Sequence, residues 1–537
     1  MENNRSILAV ALIILLWSGY SMFFSPKAPP VEKAPQATVE QEAAKVKTVD
    51  IVPTIEKVEE IPVSESVKRQ EKIITVKSDL FEIKLSTLGA TIRDVTLDKF
   101  KISNQPDSKT YKLISADTDK QATFKTSGSE GLAIPSNLLF RLDGYKTDTI
   151  YLKNAEQNVR FSAVTASGLK IIKNYRFYAN SYKVDVDVQI VNDTKTTKSG
   201  YFNLTLISVV PTAKSKGMSD RYTFIGPISF DGKDIIKEKL DDLDKSPKIY
   251  GDNIKWSGFV SKYFLTLVDA EKYTQKVQIE KKGDIVENRF ISPFISLAPG
   301  KKTSLQYYSF LGPVDYDLLK AAGHQFERAK DYGFFSILAK PLMHVLKFFY
   351  KYLGNYGFAI ILLTVCIKII FWPLTQKSYR SMKGMQKLQP EMQKLREKYG
   401  KDKQRLNQEM MAFYKSNKVN PMGGCLPMII QIPVFFALYQ VLLGAIELRH
   451  APFMFWLVDL SAKDPYYITP LIMGVTMFAQ QKMTPTNMDP TQAKIMLLMP
   501  VVFTFLFLNF PSGLVLYWMV NNLLTILQQY LIRRQPD

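Results

Sequence analysis

The sequence is poor in the residues that bind metals and form disulfides. Its 537 residues include 2 cysteines and 3 histidines. The cysteines, Cys366 and Cys425, lie in apolar runs, which is typical of small buried hydrophobic residues rather than of a metal pair or a disulfide. The histidines, His324, His344 and His450, are far apart along the chain. These spacings predict no metal site and no resident cofactor.

Sequence motifs for nucleotide binding and hydrolysis are also missing. The chain contains none of the patterns GxxxxGK[ST], GxGxxG, HExxH or GxSxG. A nucleotide-driven motor is therefore not expected from this chain alone, and no residue is predicted to be catalytic. The sequence favours a protein that is not an enzyme.

Basic residues outnumber acidic ones. Lys and Arg number 70 and Asp and Glu 50, which gives a formal net charge of +20 at pH 7. An excess of this kind favours an anionic partner, either a nucleic acid or an anionic membrane. The distribution of the basic residues favours the membrane, and no DNA partner is predicted.

The first 75 residues combine one apolar run with a polar stretch. The apolar run, Ile7 to Phe24, follows a single basic residue, Arg5. A cleaved signal peptide and a retained anchor both have this pattern, and the lack of a convincing small-residue cleavage site favours a transmembrane anchor over residues 1–25. Residues 26–75 are rich in Pro, Ala, Glu and Lys, which predicts a flexible linker.

Alternation of apolar and polar residues dominates residues 76–312. The runs FEIKLS (Phe81–Ser86), ATIRDVTL (Ala90–Leu97) and YKVDVDVQIV (Tyr182–Val191) have the period of two that marks half-buried strands. Many such runs separated by turn residues predict a large all-β sandwich, assigned to residues 76–325. Residues 76–312 contain no histidine and no cysteine, so a folding or docking module is favoured over an enzyme.

The second half of the chain changes to helical periodicity. Residues 330–355 predict an amphipathic helix in the membrane interface, with His344, Lys347 and Lys351 as its polar stripe and a core helix as the alternative. Apolar segments then predict five spans, at about residues 357–376, 421–445, 466–482, 494–510 and 513–532. With the N-terminal anchor, these make a multi-span α-helical membrane protein of six transmembrane helices, with a five-helix core over residues 356–534.

Residues 377–418 carry a dense positive charge, with twelve basic and four acidic residues. The positive-inside rule places this loop in the cytoplasm. Six spans then put both termini in the cytoplasm and the β-domain outside. Apolar residues at three- and four-residue spacing predict a helical hairpin within the loop. The hairpin is either a docking surface for a ribosome, a targeting factor or anionic lipid, or a solvated hairpin whose lysines only set topology.

One lysine interrupts the second span. Lys368 lies in ILLTVCIKIIFWPLTQ (Ile361–Gln376), roughly 17 Å along the helix from Gly357 at about 1.5 Å per residue. A charge at this depth costs roughly 2.5–3.5 kcal/mol on insertion scales. Since no acidic residue is evident in the five core spans, three interpretations are open: a side chain that extends to the cytoplasmic headgroups, an ion or solute channel, and a water-filled groove that receives an anion from a partner.

Further polar residues in the spans favour the groove. Thr364 lies one turn before Lys368, and Gln431 lies in the third span between Pro427 and Pro433. The last span includes Tyr517, Asn521, Asn522, Thr525 and Gln528, of which Asn521, Thr525 and Gln528 lie on one helical face at i, i+4 and i+7.

Three long motifs resemble a known family. They are KVNPMGGCLPMIIQIPVFFALYQ (Lys418–Gln440), DPYYITPLIMGVTMFAQQKM (Asp464–Met483) and FPSGLVLYWMVNNLLTILQQ (Phe510–Gln529). They are similar to stretches of the YidC membrane protein insertases of Gram-negative bacteria, whose five-span core is shared by the Oxa and Alb insertases. The resemblance covers essentially the whole chain. It implies an inner-membrane protein that inserts nascent membrane proteins, alone or with the Sec translocon, and a β-supersandwich related to sugar mutarotases.

The resemblance also implies a site. The family core forms a hydrophilic groove that is open to the cytoplasm and to lipid and closed on the outside, and its basic residue corresponds to Lys368. The family usually has arginine there, so this chain keeps the charge but not the bidentate pairing of a guanidinium. By the same resemblance, Gln431, Thr525, Tyr517 and Trp518 line the groove. With Thr364 and Asn521, they complete the predicted client-binding residues.

Two other classes of protein are less favoured. A transporter or channel is typically built from inverted repeats, which this sequence does not show. A membrane-anchored carbohydrate-binding protein is suggested by the β-domain but leaves five spans without a purpose.

Overall fold

The computed structural model describes residues 70–153, 155–210, 223–399, 402–417, 426–484 and 490–534. The predicted anchor (residues 1–25), most of the predicted linker, the turn of the predicted hairpin and Cys425 therefore lie outside the described residues. Within those residues, a β-rich part precedes a helical part.

Strands begin at Ile73 and end at Pro313. The first ten in chain order are β1 (Ile73–Lys77), β2 (Phe81–Ser86), β3 (Thr91–Lys101), β4 (Thr110–Ser115), β5 (Lys125–Gly128), β6 (Arg141–Asp143), β7 (Thr149–Tyr151), β8 (Glu156–Val164), β9 (Leu169–Tyr178) and β10 (Val184–Asn192). The others are β11 (Lys198–Gly200), β12 (Phe202–Val209), β13 (Gly226–Phe230), β14 (Ile235–Lys237), β15 (Lys248–Tyr250), β16 (Trp256–Val260), β17 (Phe264–Asp269), β18 (Lys276–Lys282), β19 (Ile285–Ile291), β20 (Ile295–Leu297) and β21 (Lys302–Pro313).

These strands form sheets that pack around one apolar core. The largest has nine strands in the order β14-β13-β16-β17-β21-β10-β9-β8-β6, and two five-stranded sheets have the orders β4-β3-β2-β1-β7 and β15-β18-β19-β12-β5. Strands β11 and β20 pair with each other. Nearly all pairs are antiparallel; β1 and β7 are parallel. The predicted large β-sandwich is therefore confirmed.

The strands form where the sequence alternates. The run FEIKLS is β2, in which Ile83 and Leu85 are buried and Lys84 between them is half-buried. In β10, the residues Val184, Val186 and Val188 face the core. Because successive side chains of a strand point to opposite faces, this alternation sets the register of the sheet as well as its position in the sequence.

The described helices, in chain order, are α1 (Leu240–Leu243), α2 (Tyr316–Ala322), α3 (Ser336–Leu353), α4 (Tyr356–Lys387), α5 (Gln389–Tyr399), α6 (Lys403–Ser416), α7 (Leu426–Leu443), α8 (Ile468–Met483), α9 (Pro490–Phe507) and α10 (Ser512–Arg534). One of them, α4, is long and apolar enough to cross a membrane; Gln431–Leu443 and Met496–Phe507 are shorter apolar helical stretches. A helical C-terminal region is thus confirmed, and the number of spans stays a prediction.

Helices α3, α4, α7, α8, α9 and α10 share a second apolar core. It contains Ala359 and Leu363 of α4, Ala437 of α7 and Leu514 of α10, each at most 3 % exposed. Helix α8 approaches α9 closely at Gly474, where a β-carbon would lie 2.0 Å from Thr504 Oγ1. Small residues at such a crossing allow two helix backbones to come together.

The helices within residues 377–418 have different bounds from those of the predicted hairpin. The predicted hairpin was expected to begin at residue 377, but α4 continues without a break to Lys387. A second helix then starts at Gln389, next to Pro390, a residue that is tolerated in the first turn of a helix. In the hairpin itself, Asp402 caps α6 by accepting a hydrogen bond from Arg405 N at 3.0 Å. On α3, Lys347 of the predicted polar stripe forms ion pairs with three carboxylates.

Candidate functional site

Lys368 lies on α4 and reaches α10. Its Nζ donates a hydrogen bond to Thr525 Oγ1 at 2.7 Å, and Thr525 Oγ1 in turn donates to the carbonyl oxygen of Asn521 at 2.7 Å. A hydroxyl has one proton, so donating it to Asn521 leaves the lone pairs of Thr525 for the ammonium. No ion pair of Lys368 occurs within the part of the chain that the structure describes. The lysine is therefore held by a neutral oxygen.

A second polar contact joins α7 to α10. Gln431 Nε2 donates to the hydroxyl of Tyr517 at 2.9 Å, and Tyr517 is 2 % exposed. Gln431 stands two residues before Pro433, which lies inside α7. Because a proline in a helix cannot donate to the preceding turn, this part of α7 has weaker internal bonding than an uninterrupted helix.

Aromatic rings surround Trp518. Its ring lies 4.7 Å from that of Phe435 on α7 at 87°, and 6.0 Å and 5.3 Å from those of Phe503 and Phe507 on α9. Edge-to-face and offset contacts of this kind are the favoured geometries of aromatic pairs. Three helices thus contribute to an apolar cluster one residue along α10 from the Gln431–Tyr517 contact.

Among the described residues, Thr525 is the predicted site residue that bonds Lys368, and Thr364 and Asn521, like Gln431, Tyr517 and Trp518, make other contacts. Thr364 is 1 % exposed, and its Oγ1 donates to the carbonyl of Ile360 at 2.6 Å within α4 itself. Asn521 is half-buried and contributes its backbone carbonyl to the Thr525 hydroxyl. The hydroxyl of Thr364 is therefore satisfied within its own helix, and Asn521 supports the residue that holds the lysine.

Sequence reasoning did not identify a second polar seam, between α8 and α10. Asn522 is 3 % exposed, and its Nδ2 lies 3.5 Å from both the Met473 carbonyl and Thr476 Oγ1. Two helical turns further along α10, Gln529 Nε2 donates to Thr484 Oγ1 at 3.1 Å. The spacing of seven residues between Asn522 and Gln529 is the signal that places both on one face of α10.

Among the described residues, no group of three or more His, Cys, Asp or Glu side chains is arranged to hold a metal ion. The polar atoms of the site are amides, hydroxyls and one ammonium, which bind anions and hydrogen-bonding chains.

Known proteins resemble this chain along its length. The family model "60Kd inner membrane protein" matches residues 348–537, and "YidC periplasmic domain" matches residues 73–345. "Membrane protein insertase YidC" of Geotalea daltonii is 43 % identical over 99 % of both chains, and that of Geobacter sulfurreducens is 42 % identical over 99 % of this chain and 98 % of its own. A crystal structure of an active YidC insertase has 18 % identity and a TM-score of 0.37, and covers 86 % of this chain and 93 % of its own.

The two family models and the similar insertases, together with a β-rich part followed by a helical part, define the class of this protein. It is an inner-membrane insertase with a periplasmic domain, and insertion is not an enzymatic function. The chain belongs to the YidC family of membrane protein insertases.

Proposed function

We propose that this chain inserts hydrophobic segments of nascent proteins into the bacterial inner membrane through a groove between α4, α7 and α10, without covalent chemistry. The observation that carries the proposal is the contact of Lys368 with Thr525 Oγ1 at 2.7 Å. Lys368 is half-buried, and an ammonium that is satisfied by a neutral oxygen gains free energy when a carboxylate replaces that oxygen, because charge-assisted hydrogen bonds are roughly twice as strong as neutral ones. An acidic residue in the short exported tail of a client supplies that carboxylate.

The polar residues of the groove bind the client's exported tail, and the apolar residues contact its hydrophobic helix. Gln431, which is half-buried, offers its amide to the main chain of the tail, and the buried hydroxyl of Tyr517 holds that amide in place, which reduces the cost of removing the tail from water. The aromatic cluster around Trp518 contacts the client's apolar helix as it moves past α7 and α9. Transfer of that helix into lipid then drives release, at about 25 cal/mol for each Å² of apolar surface that leaves water.

The proposed membrane arrangement has six spans. The lengths of α7, α8, α9 and α10 are 18, 16, 18 and 23 residues. At about 1.5 Å per residue they extend over roughly 24–35 Å, close to the thickness of a hydrocarbon core of about 30 Å. Together with α4 and an anchor in residues 1–25, they place both termini in the cytoplasm and the β-sandwich in the periplasm. The further proposed divisions are a linker (26–75), the sandwich (76–325) and the core (356–534).

The surface of α3 supports a place for residues 330–355 in the membrane interface. Apolar side chains on and just before this helix are open to the surroundings, with Phe334 92 % and Ile337 84 % exposed. The opposite side of the helix buries Ala339, Met343 and Leu346. A helix with one covered face and one exposed apolar face is typical of the boundary between headgroups and acyl chains.

The proposed partners are nascent membrane proteins, the Sec translocon, the lipid bilayer, and a ribosome or targeting factor. The hairpin α5–α6, within residues 377–418, carries the basic residues that suit a ribosomal or anionic surface. Support for the Sec translocon comes from membership of the family alone.

Reconstitution tests the proposed function. The purified full-length protein is placed in liposomes, and a single-span client with a short acidic tail is synthesised outside them. We expect a protease-protected client fragment in the absence of added nucleotide, and less of it with Lys368→Gln. The control, Lys351→Gln, changes an exposed lysine of α3 and should match the wild type. Equal protection in liposomes without the protein would contradict the proposal.

A further inference from the structure

The segment Gly444–Tyr467, which joins α7 to α8 and is called the α7–α8 loop here, touches the beginning of α4. Asn355 Nδ2 donates to the carbonyl of Phe453 at 3.0 Å, while Asn355 Oδ1 accepts from Gly357 N at 2.8 Å. The Phe453 ring lies against Gly357 so closely that a β-carbon there would be 2.0 Å from the ring. The start of the helix that carries Lys368 is therefore seated on this loop.

The same loop caps α10 and α8. Ser512 N donates to the Ala462 carbonyl at 2.7 Å, and Gly513 N donates to the Leu460 carbonyl at 2.9 Å. At α8, the side chain of Asp464 accepts from Thr469 N at 2.7 Å. Unpaired backbone donors at a helix start need such partners. One loop therefore fixes the first turns of α4, α8 and α10.

Three residues of the loop have backbone conformations that are unfavourable for residues other than glycine. His450, Phe455 and Tyr467 have φ of +59°, +54° and +58°, in the left-handed region that residues other than glycine seldom adopt. Such residues persist where their surroundings determine the conformation. Leu448 and Leu460 supply part of that constraint, since both are 0 % exposed.

The β-sandwich contacts the loop at Arg449. The guanidinium donates to the carbonyls of Lys101 at 2.5 Å and Ile102 at 3.3 Å, at the end of β3. It also lies 5.6 to 5.8 Å from the centres of three aromatic rings of the sandwich, those of Tyr111, Tyr263 and Phe264. Partial burial lowers the pKa of Arg449 and outweighs the opposing effect of the Asp459 carboxylate.

A second set of contacts with the loop is an ion-pair cluster centred on Lys347 of α3. Its Nζ lies 3.1 Å from Asp315, 2.7 Å from Asp317 and 2.8 Å from Glu447 of the loop. Beside it, Lys330 Nζ donates to the Gly444 carbonyl at 2.7 Å. The segment that follows the sandwich therefore contacts the loop at two points near its start: Lys330 bonds Gly444, and Lys347 pairs with Glu447.

We propose that the β-sandwich positions the groove through the α7–α8 loop, with Arg449 and Lys347 as positioning residues. The sandwich holds the loop, and the loop fixes the first turns of α4 and α10, the two helices that carry Lys368 and Thr525. The sandwich therefore affects insertion without contacting the client. This inference rests on the proposed function for its effect on insertion, but the mechanical coupling stands independently of it.

Hydrogen exchange on the full-length protein tests the coupling. Arg449→Met keeps an apolar side chain but removes the guanidinium, so both hydrogen bonds to the sandwich and the cation–π contacts are lost. We therefore expect amide hydrogen exchange to become about tenfold faster or more in residues 446–467 and at Gly513. Exchange within β9 and β10 should not change. Arg449→Lys should restore part of the protection, and Lys463→Met is the control within the same loop.

Insertion in proteoliposomes is measured with the same variants. We expect Arg449→Met and Lys347→Met to slow insertion several-fold, and Lys351→Met, one turn further along α3, to have no effect. Exchange at Gly513 within twofold of the wild type in Arg449→Met would overturn the coupling. Faster exchange with an unchanged insertion rate would overturn the positioning role. Failure of the wild type to insert would instead refute the proposed function and leave the exchange result to decide the coupling.

Discussion

Replacing Thr525 by valine isolates the bond that holds the lysine. Valine has nearly the same shape but no acceptor, so the ammonium of Lys368 loses its partner at 2.7 Å. Side-chain hydrogen bonds between membrane helices average about 0.6 kcal/mol and reach about 1.7 kcal/mol. Charge strengthens this bond, and Thr525 is 8 % exposed, so we expect the free energy of unfolding to fall by about 1.5 kcal/mol.

The chain offers a matched reference for this change. Thr364 is also buried and also donates to the carbonyl four residues before it, at 2.6 Å, but accepts no bond from a lysine. Thr364→Val therefore measures the loss of the intrahelical bond alone. Lys368→Met, which keeps most of the stem, completes a double-mutant cycle with Thr525→Val.

The assay is unfolding of the purified full-length protein by SDS in mixed micelles, followed by circular dichroism. We expect Thr525→Val to destabilise the wild type by about 1 kcal/mol more than Thr364→Val does, and by no more than Thr364→Val does when it is made in the Lys368→Met background. Equal effects of the two threonine changes, with no dependence on Lys368, would refute the account of how the lysine is held.

Two further changes test the packing and the electrostatics. Gly474→Ala should destabilise the protein by about 1–3 kcal/mol in the same assay, because the new methyl group would lie 2.0 Å from Thr504 Oγ1, whereas Gly444→Ala, with its nearest atom at 3.8 Å, should be nearly neutral. Burial opposes ionisation of Asp315, but backbone N–H groups and Lys347 outweigh it and lower its pKa below 3.8. Burial likewise opposes the charge of Lys347, but carboxylates outweigh it and raise its pKa above 10.5. Their contribution to stability should thus be constant between about pH 4 and pH 10, fall as pH drops through the lowered pKa, and be absent in Lys347→Met, as measured by thermal unfolding against pH.

The strands could be predicted because their signal is local. Alternation in FEIKLS determines both a strand and its buried face, and β2 occupies those residues. Helix ends were less predictable. The apolar run of α4 gives way to charged residues near Gln376, yet the helix continues to Lys387 because lysine, arginine, methionine and glutamine also favour helix.

The candidate site was partly predictable for a similar reason. A lysine within an apolar run is conspicuous, and helical spacing placed Asn521 and Thr525 on one face. The partner of Lys368 depends on how α4 and α10 cross, which spacing within either helix does not specify. The same holds for Lys347 and Arg449, whose partners are distant in sequence. Lys347 is a residue of an amphipathic stripe in sequence and the centre of an ion-pair cluster in the structure.

The central claim, that Lys368 attracts an acidic client tail, is tested most directly by reversing both charges in a depletion strain. Lys368→Arg, Lys368→Gln and Lys368→Glu are each combined with a client whose exported tail is acidic or basic, and the inserted fraction is measured by protease protection. We expect Arg to be active, and Glu to be poor with the acidic tail and partly restored by the basic one. Full insertion of the acidic-tailed client by both the Gln and Glu variants would contradict the claim.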